Sequence, residues 1–166
     1  MTTDLNGDSI IFLKVTPGHV ERTLKSLREQ PHVTKVEAVL GRHDVAVAAS
    51  FKTTDELQQF AARVQGMDSV RGFRSYPGLQ NWKSPEKNGY PASAYILVRS
   101  SDPARATSEL SKLAGVEAVI GTTGDLDLIA RIGAENRDNM FSTIVKQVNN
   151  VPGVKSTETL PTFAQF

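Results

Sequence analysis

The chain contains no cysteine and a single tryptophan, and aromatic residues make up only 7% of its 166 positions. The missing cysteine excludes disulfide staples, thiolate nucleophiles and cysteine-based metal sites. An excess of either charge is also lacking: 19 basic residues against 18 acidic leave a formal net charge of +1. A cut after Gln80 leaves 10 basic and 9 acidic residues before it and 9 of each after it. Neither half is the basic block that a nucleic-acid binder presents to phosphates. No apolar run approaches the roughly 20 residues that a membrane helix requires. The polar, acidic start MTTDLNGDS does not resemble a signal peptide. His19, His32 and His43 are the only histidines, and they lack the short paired spacing of a metal site. No phosphate loop or serine-nucleophile elbow appears. These absences lead us to expect a soluble, cytoplasmic, non-enzymatic protein that uses no metal and no cofactor.

The chain does contain a repeat. Gly41 and Asp44 recur as Gly124 and Asp127 at an offset of 83 residues, and the same offset pairs Val33 with Val116 and Val36 with Val119. One inserted residue later, Val64 pairs with Val148, Val70 with Val154 and Pro77 with Pro161. The pattern is that of a tandem duplication.

Each copy reads in the same order. SIIFLKV (9–15) is strand-like in its β-branched and aromatic content. Thr16-Pro17 resembles a helix cap followed by proline, with Val20, Leu24 and Leu27 inward at helical spacing. Strands follow at 33–40 and 44–51, joined by the Gly41–Asp44 turn. A second helix opens at TTDEL, capped by Thr54 or Asp55, with Leu57, Phe60 and Val64 inward, and VRGFRSY (70–76) is the last strand. The second copy gives strand 93–99 and a helix begun at Asp102-Pro103 with Leu110 and Leu113 inward. It continues with strands 116–122 and 126–133, then helix 136–149 with Phe141, Ile144, Val145 and Val148 inward, then strand 154–160. PGLQNWKSPEKNGYP (77–91), rich in Pro, Gly and Asn, reads as a linker. The expectation is an α+β fold of two ferredoxin-like βαββαβ units in tandem: 1–76, a linker 77–92, and 93–166. SIIFLKV, AYILVR and DVAVAASF are apolar on both faces, as strands buried on both sides are. From this we expect sheets that pack on each other or on neighbouring chains.

VEAVIGTTGDLDLIARI followed by VNNVPGVKSTETLP resembles the C-terminal effector-binding domain of the Lrp/AsnC (feast/famine) regulators. The resemblance rests on Thr123, Gly124 and Asp127, then on Pro152, Gly153, Val154, Thr157 and Thr159, and covers 94–160. The first copy keeps Gly41 and Asp44, but has DSVRGFRS where the second has PGVKSTET. What the resemblance implies is a ligand-binding and oligomerising module that takes small molecules such as amino acids in clefts between subunits. A tandem chain is then a covalent pseudo-dimer of the dimeric α/β-barrel type. Only about nine residues precede the first strand, too few for the helix-turn-helix reader of such regulators. Direct nucleic-acid binding is therefore not expected.

The turn carrying Thr122, Thr123, Gly124, Asp125 and Asp127 is the main candidate for ligand contact. Glycine lets a backbone approach closely, carboxylates accept from an ammonium group, and exposed amides hold a carboxylate. Glycine and aspartate are also ordinary hairpin residues. The matching turn holds Gly41, Arg42, His43 and Asp44. An Arg-His-Asp triplet suits an anion or proton transfer, but three successive residues beside a strand point different ways, so no catalytic group is assigned. Thr157 and Thr159 share a strand face and are candidates to line the cleft, although threonine is common in strands. Arg71 and Arg74 read as solvated. Two competing functions stand beside the effector module: an enzyme of the dimeric α/β-barrel kind, and a ligand-free partner that assembles with DNA-binding homologues.

Overall fold

In the computed structural model of the protein, residues 8–85 and 89–163 are described. The chain divides into two compact units, one running to Leu79 and taking in Phe163 as well, the other Gln80–Thr162. The first unit runs β1 (Asp8–Val15), α1 (Val20–Arg28), β2 (Val33–Val39), β3 (Val45–Ser50), α2 (Thr54–Gln65) and β4 (Val70–Tyr76). Its strands lie in the order β4-β1-β3-β2, all antiparallel. Alternation sends Ile11, Leu13, Val45 and Val47 to one face, where Leu24, Leu27, Leu57, Phe60 and Val64 of the two helices complete the core. Ile10, Phe12, Ala46 and Tyr76, on the opposite face, are buried too.

The second unit runs β5 (Gln80–Lys83), β6 (Ala92–Ser100), α3 (Pro103–Ser111), β7 (Val116–Gly121), β8 (Leu128–Ala134), α4 (Arg137–Lys146) and β9 (Val154–Phe163), with a short 3-10 turn at Val148–Asn150. Its strand order is β9-β6-β8-β7-β5. Ile96, Val98, Val119, Leu128, Ala130 and Ile132 meet Ala106, Leu110, Met140, Ile144 and Val148 over the helix-bearing face. Both units follow the βαββαβ order, and the second adds β5.

Four local readings are corrected. Thr16-Pro17 does not start α1. The His19 N–H donates to the Thr16 carbonyl at 3.0 Å, and Gly18 has φ +85°. Pro-Gly therefore forms a tight turn, and the helix begins at Val20 behind His19, which makes no side-chain cap bond. The cap of α2 is Thr53, whose side chain accepts from the Glu56 N–H, while the Glu56 carboxylate accepts from the Lys52 N–H at 2.8 Å. On α4 the inward stripe is Met140, Ile144 and Val148, and Phe141 (38% exposed) and Val145 (63%) face outward. Steps of four keep residues on one ridge, and Phe141 and Val145 sit one step round from it. Finally, the segment read as a linker holds β5, which pairs Trp82 with Val119.

Candidate functional site

The two Gly-x-x-Asp hairpins have the same hydrogen bonds. Asp44 donates its N–H to the Leu13 carbonyl at 2.8 Å, its own carbonyl accepts from Val39 at 3.0 Å, and its carboxylate accepts from the Val15 N–H at 2.8 Å. Asp127 repeats this with Val98 at 2.9 Å, Thr122 at 3.0 Å and Ser100 at 2.8 Å. The carboxylate reaches the strand end where the register slips. Val15 pairs with Val70 while Lys14 pairs with Gly72, leaving Arg71 as the extra residue. Ser100 pairs with Val154 while Arg99 pairs with Ser156, leaving Lys155. A bulge leaves one backbone group without its ladder partner, and the aspartate supplies the acceptor.

Around these anchors, Gly41 (φ +118°) and Gly124 (φ +109°) turn the chain. A Cβ on Gly124 would meet nothing within 4 Å, so the glycine answers to its backbone angle and not to crowding. Thr123 and Gly124 are exposed, Asp125 and Asp127 are half-buried, and Thr122 is buried. In the first hairpin Arg42 is exposed, whereas His43 stacks on Phe12 with ring centroids 5.0 Å apart. His43 and Asp44 therefore serve different neighbours.

Thr157 and Thr159 pair with Val98 and Ile96, whose side chains lie in the helix-side core, so the threonines share the helix-side face. Thr157 donates to Asn149 Oδ1 at 2.7 Å. Thr157 lies at the same end of the sheet as Asp127, but two strand spacings from Leu128, roughly 10 Å. Gly153 of the PGV motif (φ +90°) presents its carbonyl to the Ser101 N–H at 2.9 Å and the Ser100 hydroxyl at 2.7 Å. That motif closes the same bulge from the other side.

A pocket of about 440 Å³ opens beside the first hairpin, lined by Lys14, Val15, Pro17, Val20, Asp44 and Arg71. It joins a carboxylate, two cations and an apolar wall. Lys14 was not singled out by sequence, and Arg71 read as solvated. The one available signal was Gly72 inside a strand, since glycine there often marks a bulge. Among the described residues no group of three or more His, Asp or Glu side chains is placed to hold a metal ion. No described helix is long and apolar enough to cross a membrane.

Residues 8–87 match the Lrp/AsnC ligand binding domain, and residues 104–164 match a dimeric alpha+beta barrel domain. The chain carries an Lrp/AsnC ligand binding domain. The Lrp/AsnC ligand-binding match falls on the first unit, although the second carries the fuller TG-x-x-D and PGV motif. The HTH-type transcriptional regulator FL11 of Pyrococcus abyssi is 32% identical over 100 residues, covering 59% of this chain and 64% of the regulator. Its Pyrococcus horikoshii counterpart is 31% identical over 78 residues, covering 46% of this chain and 51% of the regulator. The chain thus spans less than two thirds of the length of these relatives. Among solved structures, the siroheme decarboxylase NirDL superposes with a TM-score of 0.69 at 9% identity, covering 93% of this chain and 70% of that one. A heme-binding protein from Thermus thermophilus gives 0.56 at 11% identity, covering 99% and 94%. At these identities the likeness is one of fold.

Proposed function

We propose that this chain is an effector-binding and assembly module that takes amino-acid-like molecules at the hairpin end of its units. The observation that carries the proposal is the pocket beside Asp44, which lies within the segment matching the Lrp/AsnC ligand binding domain. A free amino acid has a carboxylate and an ammonium group a few ångströms apart. Lys14 and Arg71 suit the carboxylate, and Asp44 offers negative charge to the ammonium. In the second unit the corresponding elements are Arg99, Lys155 and Asp127, with Asp125 and the backbone of Gly124 at the turn. Thr122, Thr123, Thr157 and Thr159 frame that end.

In this reading the module forms homo-oligomers, or joins DNA-binding homologues, in the cytoplasm. It neither reads DNA itself nor performs a reaction. A thermal-shift series with each of the twenty amino acids tests it. A ligand at 100 times its dissociation constant adds about 2.7 kcal/mol of stability. No shift with any of them would move the ligand-free partner reading ahead.

A further inference from the structure

A second pocket, of about 340 Å³, lies within the second unit, at the end of β7 away from the Thr122–Asp127 turn. Its walls include Trp82, Tyr90, Leu113, Gly115, Val116 and Glu117. The volume is at the lower end of the usual range for small-molecule sites. Glu117 is 4% exposed. One carboxylate oxygen, Oε2, is ion-paired with Arg131, which also donates to the Ser93 hydroxyl at 3.1 Å and lies over the Tyr95 ring. The other, Oε1, is sealed from solvent and has no hydrogen-bond partner among the described residues. Buried acceptors are nearly always paired, so this one marks a place for a donor.

The first unit shows what the bulge needs for structure alone. Thr34 is the extra residue opposite Ala48, and its hydroxyl donates to the Ala48 carbonyl at 3.0 Å. At the 83-residue offset these positions are Glu117 and Arg131, with the same register slip. His32 and Ser50 correspond to Gly115 and Gly133. A Cβ on Gly133 would come within 2.5 Å of Tyr90 Cδ2 and 2.8 Å of Glu117 Oε1. Glycine at this position leaves the room that the ring and the carboxylate occupy. A small hydroxyl and ordinary side chains suffice in one copy. The other has a buried carboxylate, a guanidinium, two glycines and two aromatic residues.

We propose that this pocket binds a planar, uncharged heterocycle that donates an N–H to Glu117 Oε1. Trp82 and Tyr90 favour a flat ring. A cationic ligand is disfavoured, because Arg131 already neutralises the carboxylate and Lys112 stands on the pocket wall. Tyr90 lies between β5 and β6 and outside both, so its ring can adjust to a bound ring without breaking a ladder. This inference does not depend on the effector reading, which concerns the other end of the unit.

Trp82 is the only tryptophan in the chain, so its fluorescence reports on this pocket alone. The test is a titration of the whole chain with benzimidazole, adenine and cytosine, followed by tryptophan emission. At least one should give a saturable change with sub-millimolar affinity. Glu117→Gln keeps the shape but can turn the acceptor into a donor, and should weaken binding roughly tenfold or more. Tyr90→Leu removes one aromatic wall without touching the ion pair, and should weaken binding in the same direction. No saturable change with any of the three probes overturns the proposal. So does an affinity unchanged in Glu117→Gln, or in Tyr90→Leu should Glu117→Gln fail to fold.

Discussion

The carboxylate of Asp127 accepts the backbone N–H of Ser100 at 2.8 Å, and Asp44 makes the same bond to Val15. The aspartate of the repeated turn is thus an anchor for a bulge in the neighbouring strand, whatever else it does. Hydrogen bonds to charged groups contribute about 1.5–3 kcal/mol. Asp44→Ala and Asp127→Ala should each lower the unfolding free energy by about that amount in urea titrations, with Asn at either position costing less. Losses below about 0.5 kcal/mol for both would contradict the anchoring role.

Backbone strain gives a second expectation. His32 has φ +72°, and its counterpart Gly115 has φ +89°. A side chain in the left-handed region costs about 1–2 kcal/mol. His32→Gly should therefore stabilise the first unit or leave it unchanged, despite the lost contact with Phe51. Gly115→Ala should destabilise the second unit strongly, since its Cβ would sit 2.4 Å from the Gly133 carbonyl oxygen. Thermal denaturation of the two variants distinguishes the signs.

On α4, truncating the inward stripe and the outward pair should differ in cost. Met140→Ala or Ile144→Ala should cost about 2–5 kcal/mol, whereas Val145→Lys should stay within about 0.5 kcal/mol of the parent. Equal costs would mean that Val145 is covered in solution.

Much of the fold was legible in the sequence. Short runs rich in β-branched residues and the paired glycines placed the strands and hairpins, and repetition gave two independent readings of one unit. Local ambiguity limited the rest. Pro17-Gly18 carries both a helix-start and a turn signal, and only the turn satisfies Gly18 at positive φ. In α4, apolar residues occur on two adjacent ridges, and ten residues are too few for the pattern to choose between them. QNWK has no alternation to announce β5. The site was less legible, for a geometric reason. Lys14, Asp44 and Arg71 meet only through strand pairing, and Glu117 meets Arg131 only because a bulge shifts the register. Nothing local to Asp127 tells whether its carboxylate holds a ligand or a backbone N–H.

Nucleic-acid binding is a separate check. Duplex affinity rests largely on neutralised phosphates, and this chain has a net charge of +1 with no basic half. Mobility-shift assays at physiological salt should show no sequence-specific complex. Tight binding to a defined operator that survives competitor DNA would contradict this expectation.

The most direct measurement is calorimetric titration of the stabilising amino acid into the parent chain and into Lys14→Ala, Arg71→Ala and Asp125→Ala. These side chains lie outside the bulge hydrogen bonds made by Asp44 and Asp127, so a loss of affinity is not confounded with loss of the anchor. If the hairpin ends bind the effector, at least one of the three weakens it tenfold or more, about 1.4 kcal/mol, while the unfolding midpoint without ligand stays near that of the parent. Loss with Lys14→Ala or Arg71→Ala assigns the site to the first unit, and loss with Asp125→Ala assigns it to the second. An affinity that ignores all three substitutions would contradict the account.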